Sequence, residues 1–215
     1  MSSATAYPTS TSRPDGRLLA AAIAGPGLFL AAMVLGLVTG HTSGSSAGSG
    51  LELGPMGWLM SIVFIVAGLG IMTFAVVQAR VLSPGSRVGG VLLGIAGLGV
   101  LLSGVFITDA PGAAETTHGQ VHNMLFLVVM LALVVSFPFN GAKLRRNGYR
   151  WALAHSIASS VVMPLLVGVF VTIASDPHDP LYKVGALVQF AFIAVGFGWV
   201  VVNAARVRRA IRAAA

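Results

Sequence analysis

The chain has 215 residues, of which 56% are hydrophobic and only 9% are Asp, Glu, Lys or Arg, against roughly 25% charged residues in ordinary soluble domains. Thirteen basic and six acidic side chains cannot clothe a globule of this size in water, and a mean hydropathy of +0.89 is the opposite of what disorder requires. With no cysteine, disulfides, thiolate metal sites, thiol nucleophiles and lipid attachment through sulfur are all excluded.

Residues 1–17, rich in Ser, Thr, Ala and Pro, read as a disordered cytoplasmic tail. Six windows free of formal charge follow, at about 18–39, 56–78, 88–107, 121–139, 151–174 and 184–204. Each approaches the ~20 apolar residues that cross a bilayer core. Their apolar positions continue around every helical face, which predicts an all-α, polytopic transmembrane bundle of six helices. The first window is too long for the core of a signal peptide and counts as a true span. Residues 205–215 form a basic cytoplasmic tail, and a helix from Asn203 onward carries four arginines suited to anionic lipid headgroups.

The connections alternate in charge. Glu52, Asp109, Glu115, Asp176 and Asp179 fall on one side, whereas Arg13, Arg17, Arg80, Arg87, Lys143, Arg145, Arg146, Arg150 and the last four arginines fall on the other. A basic excess in short loops marks the cytoplasm, so both termini are expected there, in a cell membrane, with the acidic loops outside. The net charge of +7 and pI near 11.1 are thereby explained by topology, and nucleic acid is not an expected partner. An Arg-rich, Ala- and Gly-rich composition suits a bacterium with a GC-rich genome.

Glycine, 27 residues in all, is concentrated within the spans. Small residues let helix backbones approach in lipid, so the third span is expected to be the central packing helix, with Gly90 and Gly94 as a small-xxx-small pair for the bundle or for a homodimer. Pro26 and Pro164 are expected to kink the first and fifth spans, where a broken-helix substrate site of a small transporter is the functional alternative.

The candidate polar site lies at the acidic end, and comprises Thr108, Asp109, Glu115, His118, His122, Asp176 and His178. Thr117 and Gln120 fit a capping box that starts the fourth helix at His118 and sets His118 and His122 one turn apart. With Asp109 they offer nitrogen and oxygen donors of the kind zinc takes with one open position, hence a metal-dependent enzyme acting on lipid or envelope substrates. The competing reading makes these residues ordinary wet helix ends with structural hydrogen bonds. Within the membrane, His155, Ser159 and Gln189 are the polar residues of note. His155 lies near the arginine-rich end, on the order of 20 Å in depth from His122, and is expected to be neutral and bonded to a neighbouring helix. No second histidine shares its depth, so haem ligation is not expected.

The six-span layout, with Phe106, Thr108, Asp109, Thr116, Gly119 and His122 between the third and fourth spans, resembles the prokaryotic membrane family known as domain of unknown function 998. The resemblance covers roughly residues 15 to 205, although the Asp-Pro of that family stands here as Asp109-Ala-Pro111. It implies a six-helix integral membrane protein and no particular activity, so a structural, regulatory or interaction role is the leading functional expectation.

Overall fold

In the computed structural model, residues 13–39, 48–82, 86–173 and 181–213 are described. Among them there are six α-helices and no strand: α1 Arg13–Thr39, α2 Gly57–Val81, α3 Val88–Ser103, α4 Thr117–Arg146, α5 Ala152–Ile173 and α6 Gly185–Ala213. A 3-10 turn at Gly48–Leu53 precedes α2. Five helices are long and apolar enough to cross a membrane, and α3, with 16 residues, is a shorter apolar helix. The chain is therefore a multi-pass membrane protein.

Four helices outrun their expected windows because a search for charge-free stretches stops at the first arginine, whereas the helical backbone does not. α1 begins at Arg13, so Arg13 and Arg17 belong to its first turns, while residues 1–12 of the expected tail lie outside the described residues. α4 runs on through Lys143, Arg145 and Arg146, and α6 through its arginines to Ala213. Long basic side chains let such ends reach the interface while the helix stays regular. α3 instead ends four residues before its expected boundary. Gly104 packs on Ser61 and Phe64 of α2, the amides of Gly104 and Val105 close tight bonds to Leu101 and Leu102, and the chain turns across the acidic end of the bundle.

Each helix packs on its sequence neighbours, and α1 meets α6, so the six form a closed ring. Neighbours are antiparallel. Gly25 of α1 lies on Val66 and Ala67 while Gly70 of α2 lies on Ala21 and Pro26; Gly89 meets Asn140 while Gly99 meets Val129. A close backbone approach joins Gly68 of α2 to Gly97 of α3, where a Cβ on either would strike the other helix. A Cβ at Gly90 or Gly94 would meet nothing within 4 Å. The expected pair thus plays no part in packing the bundle, since it lies on the face turned away from α2 and α4. Helices α1 and α5 run continuously through Pro26 and Pro164, as α4 does through Pro138.

Large apolar side chains stay outside, among them Leu35, Val38, Leu131 and Leu165, each more than half exposed. This is the pattern of a surface whose solvent is lipid. Trp58 and Trp151, also exposed, stand at opposite ends of the bundle, where amphipathic rings favour the membrane interface. α5 has the thinnest buried seam, Ala152, Ser156, Ser159 and Met163, and so presents most of its circumference outward.

Candidate functional site

At the acidic end, the connection from α3 to α4 is drawn into a clasp. Asp109 accepts hydrogen bonds from the Thr116 backbone amide at 2.8 Å and from the Thr116 hydroxyl at 2.7 Å. Thr116 in turn caps α4, its hydroxyl oxygen accepting from the Gly119 amide at 3.2 Å. These bonds to its charged form hold the Asp109 carboxyl below the usual aspartate range. Gly119 is needed for close approach: a Cβ there would run into the Asp109 carboxylate. Helix α4 therefore starts at Thr117, one residue before the expected start, with Thr116 and not Thr117 as its cap. Gln120 bonds the Glu115 carboxylate at 3.3 Å instead of closing a capping box, because Asp109 already orients the capping residue.

His122 follows one turn below Gly119 and points into the bundle. Its Nδ1 lies 2.7 Å from the Phe106 carbonyl oxygen. A carbonyl only accepts, so Nδ1 carries the proton and donates it. Phe106 also lies against the exposed His118, with ring centroids 5.5 Å apart and the planes tilted by 48°. The two histidines share Phe106 but diverge, one into solvent and one into the core. Among the described residues no group of three metal-ligating side chains comes together. Asp109 is engaged by Thr116, and Asp176 and His178 lie outside the described residues.

The spacing of the sequence did not single out Glu52. The Gly48–Leu53 turn folds over the mouth of the ring and drives this carboxyl inward: its side chain has no exposed surface, and its Oε2 lies 3.9 Å from His122 Nδ1. Neither carboxylate oxygen has a hydrogen-bond partner. Burial pushes its pKa up from 4.5 to about 8, with the nearby Thr108 backbone amide acting in the opposite direction. The signal was legible in Leu51-Glu52-Leu53, an acid flanked by leucines in a loop otherwise made of small residues. Leu51 packs on Gly36 of α1 and pins the turn.

Next to this pair lies a cavity of about 50 Å³, lined by polar groups of Ser49, Ser103, His122 and Gln189 and by apolar side chains that include Phe29 and Phe64. It has room for a few water molecules. Ser103 is occupied by the Gly99 carbonyl at 3.0 Å. Gln189 is thus brought to the acidic-end site, whereas His155 and Ser159 are not. Ser159 bonds back to the His155 carbonyl at 2.9 Å. His155 Nδ1 is buried without a partner, so the expected bond to a neighbouring helix is not made by that nitrogen.

The residues that carry the resemblance are thus the parts of one structure: Phe106 receives His122, Asp109 receives Thr116, and Gly119 leaves the space between them. No curated protein and no solved structure matches the chain. A family model described as "Protein of unknown function (DUF998)" matches residues 23–206, and the chain belongs to that family.

Proposed function

We propose that this protein is a regulatory integral membrane protein whose acidic end responds to protonation, with Glu52 as the proton-binding group and the Gly48–Leu53 turn as the element it moves. The observation that carries this reading is a carboxyl with no exposed surface and no hydrogen-bond partner, placed 3.9 Å from an imidazole. An unpaired buried carboxylate is costly, so the docked turn requires the neutral acid. His122 of α4 is the titratable group that faces Glu52; Asp109 lies on the adjacent connection and His118 in the first turn of α4, at the rim. On deprotonation, the buried charge withdraws the turn into solvent and the cavity opens.

The arginine distribution supports placing the arginine-rich end in the cytoplasm of a cell membrane, against anionic headgroups, and the acidic end outside. The stimulus is then external pH. The enzyme and transporter readings draw less support, since the described residues assemble no three-donor metal group and α1 and α5 run unbroken through Pro26 and Pro164.

A reporter thiol tests the proposal, as the chain has no cysteine of its own. Maleimide labelling of Ser49→Cys, in the cavity wall, is compared across pH with labelling of the exposed Ala114→Cys. The ratio of the two rates is expected to rise roughly 50-fold between pH 6 and 8, as the linkage for a pKa that moves from 4.5 to about 8 requires, and to stay flat with Glu52→Gln. A flat ratio in the otherwise unaltered protein refutes the proposal.

A further inference from the structure

The ring is closed halfway through by aromatic side chains from its alternate helices. Phe74 of α2 and Phe137 of α4 both meet Trp199 of α6, with ring centroids at 6.1 Å and 4.7 Å, and all three are fully buried. Because neighbours in the ring are antiparallel, α2, α4 and α6 run in the same direction, and one turn past each aromatic brings the chain to a common depth nearer the arginine-rich end. Each helix has an amide there: Gln78, Asn140 and Asn203, every one only 1% exposed.

Two of these amides are partly used. Asn140 donates to the Gly89 carbonyl at 2.9 Å, and Asn203 to the Trp199 carbonyl at 2.8 Å. Gln78 has no partner for its oxygen or its nitrogen, nor has Asn203 for its oxygen. One turn further along the same stripe of α6, Arg206 has a buried Nη1 without a hydrogen-bond partner. Among the described residues the single ion-pair contact is that of His122 with Glu52, so none of their carboxylates pairs with Arg206. An unsatisfied buried amide is costly, and so is a guanidinium nitrogen of the half-buried Arg206 held from water without a partner. Their coincidence on converging faces calls for a polar occupant of negative charge.

We propose that Gln78, Asn203 and Arg206 form a binding site for a phosphate-type oxyanion that bears a hydroxyl. Arg206 supplies the charge and N–H donors, and the Gln78 amide nitrogen a further donor. The oxygens of Gln78 and Asn203 are acceptors, and they suit the hydroxyl of a protonated phosphate. Sulfate, which has no such proton at neutral pH, lacks the group they would receive. Free phosphate and the phosphomonoester headgroup of a membrane lipid present the same chemistry at this end of the bundle.

The full chain, purified in uncharged maltoside detergent, is melted with increasing inorganic phosphate, sulfate, short-chain phosphatidic acid or short-chain phosphatidylcholine. A saturable rise in Tm of several degrees is expected with phosphate or with phosphatidic acid, and a smaller one with sulfate or phosphatidylcholine. Phosphate acting alone assigns a soluble anion, and phosphatidic acid alone assigns a headgroup. Affinity should weaken at least tenfold in Arg206→Gln and in Gln78→Leu, but not in Arg209→Gln, which removes an exposed arginine of the same helix. No saturable shift with phosphate or phosphatidic acid overturns the site, as do equal shifts with sulfate or affinity retained in Arg206→Gln. If a variant fails to fold, native mass spectrometry of the unaltered protein decides: retained phosphate or phosphatidic acid supports the site, and retention of neither overturns it.

Discussion

Replacing Glu52 by Gln should stabilise the protein and remove most of its pH dependence, and the size of the effect follows from the buried carboxyl. With the turn docked, Glu52 titrates near 8; with the turn in water, it titrates near its ordinary 4.5. The docked state therefore holds a proton that the open state releases, and docking is fully favoured below pH 4.5. It weakens by about 1.4 kcal/mol per pH unit as pH rises to about 8, then levels off. The direction is the reverse of that for a salt-bridged carboxylate. At pH 7 the accumulated cost is about 3 kcal/mol, and between pH 5 and 9 the docked state loses about 4 kcal/mol. Glutamine keeps the shape without the titration. Melting followed by Trp fluorescence in detergent should thus show the unaltered protein losing on the order of 10 °C from pH 5 to 9, and Glu52→Gln staying level. A melting temperature that rises with pH, or that falls equally in both proteins, would refute the reasoning.

The clasp and the glycine contacts give further expectations. Asp109→Asn should speed hydrogen exchange of the amides at the start of α4. In the unaltered protein the clasp should persist until pH falls below the ordinary aspartate range, because the bound carboxyl is held lower and its contribution disappears only as acid protonates it. Gly119→Ala should reproduce the loss, since its methyl group displaces the same carboxylate. Gly68→Leu or Gly97→Leu should cost several kcal/mol by prising α2 from α3, whereas Gly90→Leu and Gly94→Leu should melt like the unaltered chain; if they abolish cross-linking between copies, their open face is a dimer contact. Trp199→Phe should cost about 1 kcal/mol, for it removes the indole bond of 2.8 Å to Ser156 and leaves the stacking on Phe137.

Lipid exposure left a direct mark on the sequence, which is why the number and order of the helices were readable from charge-free windows alone. Helix ends were less so: an arginine can lie on a helix that has left the hydrocarbon, as at Arg146 and Arg212. The motif between α3 and α4 was readable as residues but not as roles. HxxxH spacing places two imidazoles on one helix face, yet whether they converge depends on the incoming strand of chain, and here Phe106 receives both while Asp109 is spent on a cap. Glu52 was hidden for a related reason. Charge in a loop ordinarily means water, and only the tertiary placement of Leu51 against Gly36 turns this loop inward.

A similar limit applies to the amides. Phe74 and Gln78, Phe137 and Asn140, Trp199 and Asn203 repeat an aromatic followed by an amide about one turn later. The repeat acquires meaning only once the ring closes and α2, α4 and α6 are seen to run in the same direction. The three aromatics then divide the interior into a cavity beside Glu52 and a polar layer beside Arg206, so the two polar regions are separated by a dry plug and lie at opposite ends of the same helices. Among the described residues, each region contains an ionisable group without an adequate partner: a carboxyl that burial keeps neutral, and a guanidinium that cannot be neutralised in this way. The acid can relieve its burial by holding a proton. The arginine has no such recourse, so its end of the bundle requires an anion where the other requires only a pH.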